Sequence, residues 1–450
     1  MSKQFKTPKR LKGFNDFFAK DMMIREFVIN TFKAGFEKYG YEPLETPALE
    51  YSELMLGQSG SEAEKMYYRF KDNGGRDVML KFEVMIAMCR ALAQNIGNIP
   101  LPYKRYQIQR VWRAENVQKG RYREFTQCDA DTIGSSSMTA DAEYIQMGIE
   151  IVAKLGFKEF MARVSNRKFL EGLAVYLGVP KEQYYKFFMS IDKIEKIGKE
   201  GVVKEMTEIR EISEDIARKA VKLIDPVNYK DMSFQEILNS FENTVATTDI
   251  GKEGLDELGQ INDYLIKAGV DSKYFKFDTS IARGLASYTG PVWEFSIIEG
   301  GVGSIAGCGR YDNAIGKYLG DQEVPATGGS FGIERICDII KDRGMLDFPE
   351  TTIKVLVVNF SAETMEYQLK IAQALRDKGI NTMLYPEIEK IGKQMKYADK
   401  KGIEFVIIAG SDELQEQTVT IKNLLNGEEK RVDFSKLVDA INSKLVTHNY

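Results

Sequence analysis

The sequence predicts an α+β protein: a core domain on an antiparallel sheet, interrupted by a helical insertion and followed by a separate C-terminal α/β domain. Three observations carry this. The chain has 450 residues, more than one hydrophobic core usually organises. Two alternating strand patterns flank a basic, glycine-containing loop between residues 106 and 132, and strand patterns return after roughly a hundred charged, helix-rich residues. Beyond Pro349, strand and helix patterns alternate, which marks a small α/β unit of its own. The expected boundaries are residues 1–165 and 269–346 for the core, 166–268 for the insertion and 353–450 for the last domain.

From Asp21 to Tyr39, Ile24, Phe27, Val28, Phe32 and Phe36 recur at helical spacing, and Gly40 ends the run. YEPLETPALEYSEL follows, in which Pro43 and Pro47 disfavour helix and confine the segment to an extended, edge-like path suited to a subunit boundary. Residues 76–96 read as a short strand entering an apolar helix. Glu83 lies within that apolar VMLKFEVMIAM stretch, where a carboxylate must be paired or functional. Residues 139–155 are helical by pattern, and 166–268 are charged and amphipathic. Strands are expected at Tyr274–Phe277, at Tyr288–Ile298 and, after the Glu299-Gly300-Gly301 turn, at Val302–Ile305. GGSFGIERICDIIKDRG, from Gly328, reads as a strand running into a helix, and Asp347–Thr352 as a linker. Then come KVLVVNF, a helix over 362–378, NTMLYP, a helix over 390–401 and EFVIIAG.

Composition excludes several classes. No apolar run is long enough to span a bilayer, and the basic start has no secretory pattern, so a cytoplasmic protein without membrane attachment is expected. Cys89, Cys128, Cys308 and Cys337 are widely spaced, with neither zinc-site nor disulfide-framework spacing. The sole histidine, His448, stands near the end, so imidazole base catalysis and histidine-ligated metals are disfavoured and no protein metal site is expected. Arginines and carboxylates must carry the chemistry.

The hairpin is where those residues gather. Residues two apart share a strand face, so Gln107, Gln109, Arg113 and Glu115 line one side of the first strand, and Phe125, Gln127, Asp129 and Asp131 one side of the second. Guanidinium groups pair with phosphate and an aromatic ring stacks on a base, so the combination points to a nucleotide. No P-loop occurs, and the formal G-x-G-x-x-A match from Gly301 to Ala306 lies in an antiparallel strand pattern rather than before a helix. Arg283, in SIARGLASYTG, and Arg335, in GIERI, would each pass alone for an ordinary arginine.

Together these segments resemble class II aminoacyl-tRNA synthetases, and specifically histidyl-tRNA synthetases, over nearly the whole chain. YEPLETPALE resembles motif 1, RAENVQKGRYREF motif 2 and GGSFGIER motif 3. RYREFTQCDADTIG, ARGL with YTG, and GRYDN at Gly309–Asn313 resemble histidine-binding signatures, and GKQMKYADKKGIEFVIIAG resembles an anticodon-binding domain.

The resemblance implies an ATP-dependent, AMP-forming ligase that activates histidine and transfers it to the 3′ end of tRNA(His), as a homodimer. Arg113 would hold the ATP α-phosphate, Phe125 would stack on adenine, Glu115 would face its amino group, and Arg121 and Arg335 would hold the outer phosphates, with Mg2+ bridging phosphate oxygens. Glu83 would pair with the substrate ammonium and Gln127 with the amino acid's polar backbone groups. Asp131 and Tyr288, beside Ser287, would address the imidazole, and Arg283 would meet the α-phosphate and carboxylate. The chain departs from the family pattern at Ala286 and Ser287, where an acid and an aromatic are usual, and at Met85 and Cys308, so weaker histidine binding is expected. The alternatives are a non-catalytic synthetase-like regulatory or tRNA-sensing protein and a synthetase for another amino acid.

Overall fold

In the computed structural model the described residues are 8–56, 67–117, 120–282, 288–298, 303–320 and 322–443. Arg283, Ala286 and Ser287 lie outside them, as do Gly301 and Val302. The chain divides into two units, one containing Val28–Asp342 and the other Asp16–Phe27 with the chain from Arg343 on.

Helix α1 (Ala19–Lys38) follows from its apolar spacing: Val28, Phe32 and Phe36, four residues apart, are fully buried. Phe36 meets Tyr106 and Phe32 meets Phe331 ring to ring, so the helix covers the back of the main sheet. The proline-bearing segment is extended, as expected, and supplies strands β1 (Glu42–Pro43) and β2 (Leu49–Tyr51) before the short helix α2 (Ser52–Leu56). Strands β3 (Arg69–Lys71) and β4 (Asp77–Leu80) join β2 in a three-stranded sheet, and α3 (Met85–Asn95) follows. The hairpin is β5 (Tyr103–Trp112) and β6 (Glu124–Ile133), with α4 (Met138–Lys154) behind it.

Strand β7 (Phe160–Asn166) belongs to the main sheet and escaped the sequence reading, because FMARVSN is mostly buried and shows no clean alternation. The helix-rich segment then runs through α5 (Arg167–Tyr176), α6 (Tyr184–Ile191), α7 (Ile194–Lys204), α8 (Glu214–Ile224), α9 (Phe234–Asn239) and α10 (Asp249–Lys267). Helices α5 and α10 approach so closely that a Cβ on Gly172 would lie 2.2 Å from the Gly251 Cα. The sheet is completed by β8 (Phe275–Phe277), β9 (Pro291–Ile297), β10 (Gly303–Arg310) and β11 (Ala326–Gly332), which leads directly into α11 (Ile333–Arg343). Its order is β1-β5-β6-β11-β10-β9-β7-β8. The sheet is antiparallel from β5 through β7, as expected, and parallel only at its edges: β1 runs parallel to β5 and β8 parallel to β7, because each edge strand arrives by a long connection rather than a hairpin.

The second unit builds its own core. Strands β12 (Val355–Val357), β13 (Thr382–Leu384) and β14 (Phe405–Ile408) are parallel, with α12 (Met365–Arg376) and α13 (Ile391–Lys401) as crossovers. After α14 (Ser411–Glu416), the antiparallel β15 (Thr418–Asn423) and β16 (Glu429–Asp433) extend this sheet, and α15 (Leu437–Asn442) closes on Val355, Phe405 and Val419. The last hairpin was not anticipated; its outer strand is almost wholly exposed and polar, which reads as loop.

Candidate active site

The site is a ladder across four strands. Between β5 and β6, Arg105 stands opposite Asp131, Gln107 opposite Asp129, Gln109 opposite Gln127 and Val111 opposite Phe125. On the other side of β6, Gly328 is opposite Asp131, Ser330 opposite Asp129 and Gly332 opposite Gln127, and β10 adds Gly307 opposite Ser330. Register of period two therefore places Phe125, Gln127, Asp129 and Asp131 on one face with small residues beside them. Glycine is required at 328, where a Cβ would fall 2.2 Å from the Ala130 carbonyl oxygen and 2.3 Å from Asp131 Oδ1.

At the open end of this face is a cleft of about 340 Å³, lined by Arg113, Glu115, Arg121, Phe125, Ser330 and Arg335 among others. Arg113 donates from Nε to the Phe82 carbonyl oxygen at 2.9 Å, and its guanidinium carbon lies 5.0 Å from the Phe125 ring centre. Arg335 comes from the first turn of α11 and donates to the Ser304 carbonyl oxygen at 2.6 Å. Glu334, beside it, accepts from the Thr126 N–H at 2.9 Å and fastens that turn to β6. Arg121 is exposed at the rim. Three cations converge around an aromatic ring, a chemistry suited to a nucleoside polyphosphate.

The next rung carries amino-acid-like complementarity. Gln127 accepts from the Val84 N–H at 3.1 Å and donates to Ser330 Oγ at 3.3 Å, while Glu83 accepts from the Ile86 N–H at 2.6 Å at the start of α3. Burial raises the Glu83 carboxyl above its usual range, against the opposing effects of the Ile86 N–H, Arg113 and Arg105.

Deeper still, Asp131 is not presented as a free carboxylate. It forms a buried ion pair with Arg105 and accepts a hydrogen bond from the Tyr311 hydroxyl. The expected partner, Tyr288, is half-buried with its ring against Gly309, where a Cβ would come within 2.9 Å of it, and burial raises its hydroxyl pKa. Asp129 is pushed up to about 8 by burial, reinforced by Asp131 and opposed by Arg105.

GRYDN acts chiefly as framework. Arg310 pairs with buried Asp141 and donates to the Ser135 carbonyl oxygen at 2.9 Å, and Asp312 accepts from Thr289 Oγ1 and the Ala326 N–H, each at 3.0 Å. Cys308 points to the opposite face from Gly307 and packs against Gly329, so this departure does not narrow the cleft; Met85 packs at the start of α3. Sequence reasoning missed Arg105, Glu334 and the separate part of Tyr311. The available signal was an arginine on the same strand face as Gln107 and Gln109, directly opposite the carboxylates of β6, where a buried cation must find a partner.

Comparison with known proteins agrees with this architecture. Residues 13–336 match the family model described as histidyl-tRNA synthetase, and residues 354–444 match that described as anticodon binding domain. A histidine–tRNA ligase of Christiangramia forsetii is 33% identical over 460 residues, covering 96% of this chain and 99% of the relative. One from Wolinella succinogenes is 36% identical over 425 residues, covering 94% and 95%. A crystal structure of histidyl-tRNA synthetase from Nostoc superposes with a TM-score of 0.85 at 30% identity, covering 99% of this chain and 100% of that one. This chain belongs to the histidyl-tRNA synthetase family.

Proposed function

We propose that the protein is a histidine–tRNA ligase, which joins histidine to ATP as histidyl-adenylate with release of pyrophosphate, then transfers the histidyl group to the 3′-terminal ribose of tRNA(His). The observation that carries this reading is the continuity of one sheet face from the Arg113, Phe125 and Arg335 cleft to Gln127 and the adjoining Glu83. The near-full-length relatives are ligases by name, and they favour this over a non-catalytic regulator.

In this reading the adenine stacks on Phe125, Glu115 faces its amino group, and Arg113 holds the α-phosphate with Arg121 and Arg335 on the outer phosphates. Arg283 is assigned to the α-phosphate and substrate carboxylate, and Ser287 and Tyr288 to the histidine pocket. The histidine carboxylate attacks the α-phosphorus in line, the bond to the bridging oxygen breaks, and negative charge leaves with pyrophosphate. Fixed guanidinium groups stabilise that charge without reorganising. Mg2+ brought in with ATP would supply charge neutralisation on the phosphates beside Arg113, Arg121 and Arg335. In the second step the ribose hydroxyl attacks the adenylate carbonyl and AMP leaves.

The core segments 1–165 and 269–346 are assigned to activation, and 353–450 to the anticodon end of tRNA. A cytoplasmic homodimer is proposed; supporting it, Leu49, Tyr51 and Phe70 are 44%, 53% and 46% exposed on one face of the three-stranded sheet, an apolar patch next to Pro47. Among the described residues no helix is long and apolar enough to cross a membrane. Histidine-dependent exchange of pyrophosphate into ATP, followed by charging of tRNA, tests the proposal.

A further inference from the structure

Glu115 and Arg121 line the cleft from the loop that joins β5 to β6, and two residues with no assigned contact to ATP fix that loop. Arg123 is the first. Its carbonyl oxygen accepts from the Arg113 N–H at 2.9 Å, and its Nε donates to the Glu115 carbonyl oxygen at 3.1 Å, so the returning limb of the loop is tied to the outgoing one. Gly13 is the second. It belongs to a turn near the start of the chain, closed by the Phe14 N–H on the Leu11 carbonyl oxygen at 3.2 Å. The Gly13 carbonyl oxygen accepts from the Arg123 N–H at 2.8 Å, and the Phe14 ring meets Tyr68 edge to face with 6.0 Å between centres. Position 13 has no room for a side chain. Its φ of +88° lies in the left-handed region, and a Cβ there would fall 2.8 Å from Val117 Cγ2 and 2.8 Å from Arg123 Cγ. Val117 is on the outgoing limb and Arg123 on the returning one, so this glycine packs against both.

Resting on the ligase reading above, we propose that Gly13 and Arg123 are positioning residues for ATP, clasping the two limbs of the 113–123 loop so that Glu115 and Arg121 are held at the cleft. A guanidinium on an unrestrained loop must be ordered each time the nucleotide binds, and that ordering subtracts from affinity. The clasp orders the loop beforehand. Glu83 and Gln127, at the start of α3 and on β6, stand outside the loop, so histidine binding does not draw on the clasp.

The test compares the full-length parent with Gly13→Ala, Arg123→Met and Gly40→Ala in pyrophosphate exchange, in calorimetric titration with ATP alone, and in thermal melting. Methionine keeps an unbranched stem against Gly13 but removes the Nε donor, so it probes the clasp without adding a Cβ at position 13. Gly40, with φ +79° and nothing within 4 Å of an added Cβ, imposes similar backbone strain away from the loop. Gly13→Ala and Arg123→Met should each raise the KM and the Kd for ATP by roughly threefold to tenfold, the scale of one lost hydrogen bond, and leave the histidine KM within about twofold. Gly40→Ala should lower the melting temperature without moving either ATP constant. A merely structural role moves the ATP constants of Gly40→Ala as much as those of Gly13→Ala, and that result, or an unchanged Kd for ATP in both clasp variants, overturns the proposal. A parent that binds ATP but shows no histidine-dependent exchange overturns the ligase reading instead, and the ATP titrations still decide the clasp; a parent that does not bind ATP overturns both.

Discussion

Arg105 and Asp131 stand directly opposite each other on β5 and β6, and their ion pair is sealed from water, with Arg105 0% and Asp131 3% exposed. Removing one member of such a pair strands the other's charge in a medium that cannot solvate it. Asp131→Ala should therefore lower unfolding stability by about 3–5 kcal/mol, read from the denaturant midpoint. Replacing both residues by apolar side chains of similar volume should recover much of the loss. A midpoint for Asp131→Ala equal to the parent's would show that the pair is not integral to the sheet.

The phosphate face yields a kinetic expectation. Arg113→Ala, Arg335→Ala and Arg283→Ala should each cut pyrophosphate exchange by roughly a hundredfold or more, the scale for losing one preorganised donor to developing negative charge. The effect on Arg113→Ala should fall on kcat more than on the KM for ATP. Rates within about threefold of the parent for all three variants would remove the site from consideration.

Asp129 gives a pH dependence with a definite sign. Its carboxyl is raised by burial from an ordinary 3.8 to about 8 in the fold, so between these values the native state holds a proton that the unfolded state has lost. The stability contributed by this group is complete below the unfolded value and is lost as pH rises through the folded one. The melting temperature of Asp129→Asn should consequently gain on the parent's as pH goes from about 4 to 8, at up to about 1.4 kcal/mol of stability per pH unit. Parallel melting curves across that window would show that the carboxyl is ionised in the fold.

Much of this was legible because the decisive segments obey simple periods. The spacing of Val28, Phe32 and Phe36 specified α1, and the alternation from Phe125 to Asp131 placed those side chains on one shared face of β6. What escaped has physical causes. Strand β7 is mostly buried and its sequence shows no clean polar–apolar alternation, and the parallel edge strands depend on long-range placement that local pattern does not encode. The contrast between Asp129 and Asp131 was equally hidden. On strand parity they are equivalent, and only the arrival of Arg105 and Tyr311 from β5 and from beyond β10 gives Asp131 its ion pair and its hydroxyl hydrogen bond.

The second unit should be separable in function. Its sheet is built on its own apolar residues, among them Val355, Leu375, Phe405 and Ile407. Truncation after residue 349 should leave measurable histidine-dependent exchange while tRNA charging falls far more steeply. An equal loss in both assays would argue against a tRNA-recognition role for residues 353–450.

The central claim is that the Arg113, Phe125 and Arg335 cleft and the adjoining Glu83 and Gln127 serve one reaction, the activation of histidine by ATP. Pyrophosphate exchange measured with each proteinogenic amino acid in turn tests it most directly. The account predicts exchange with histidine and only background with the others, including leucine and phenylalanine. Exchange that is absent with histidine, or greater with a different amino acid, would contradict it.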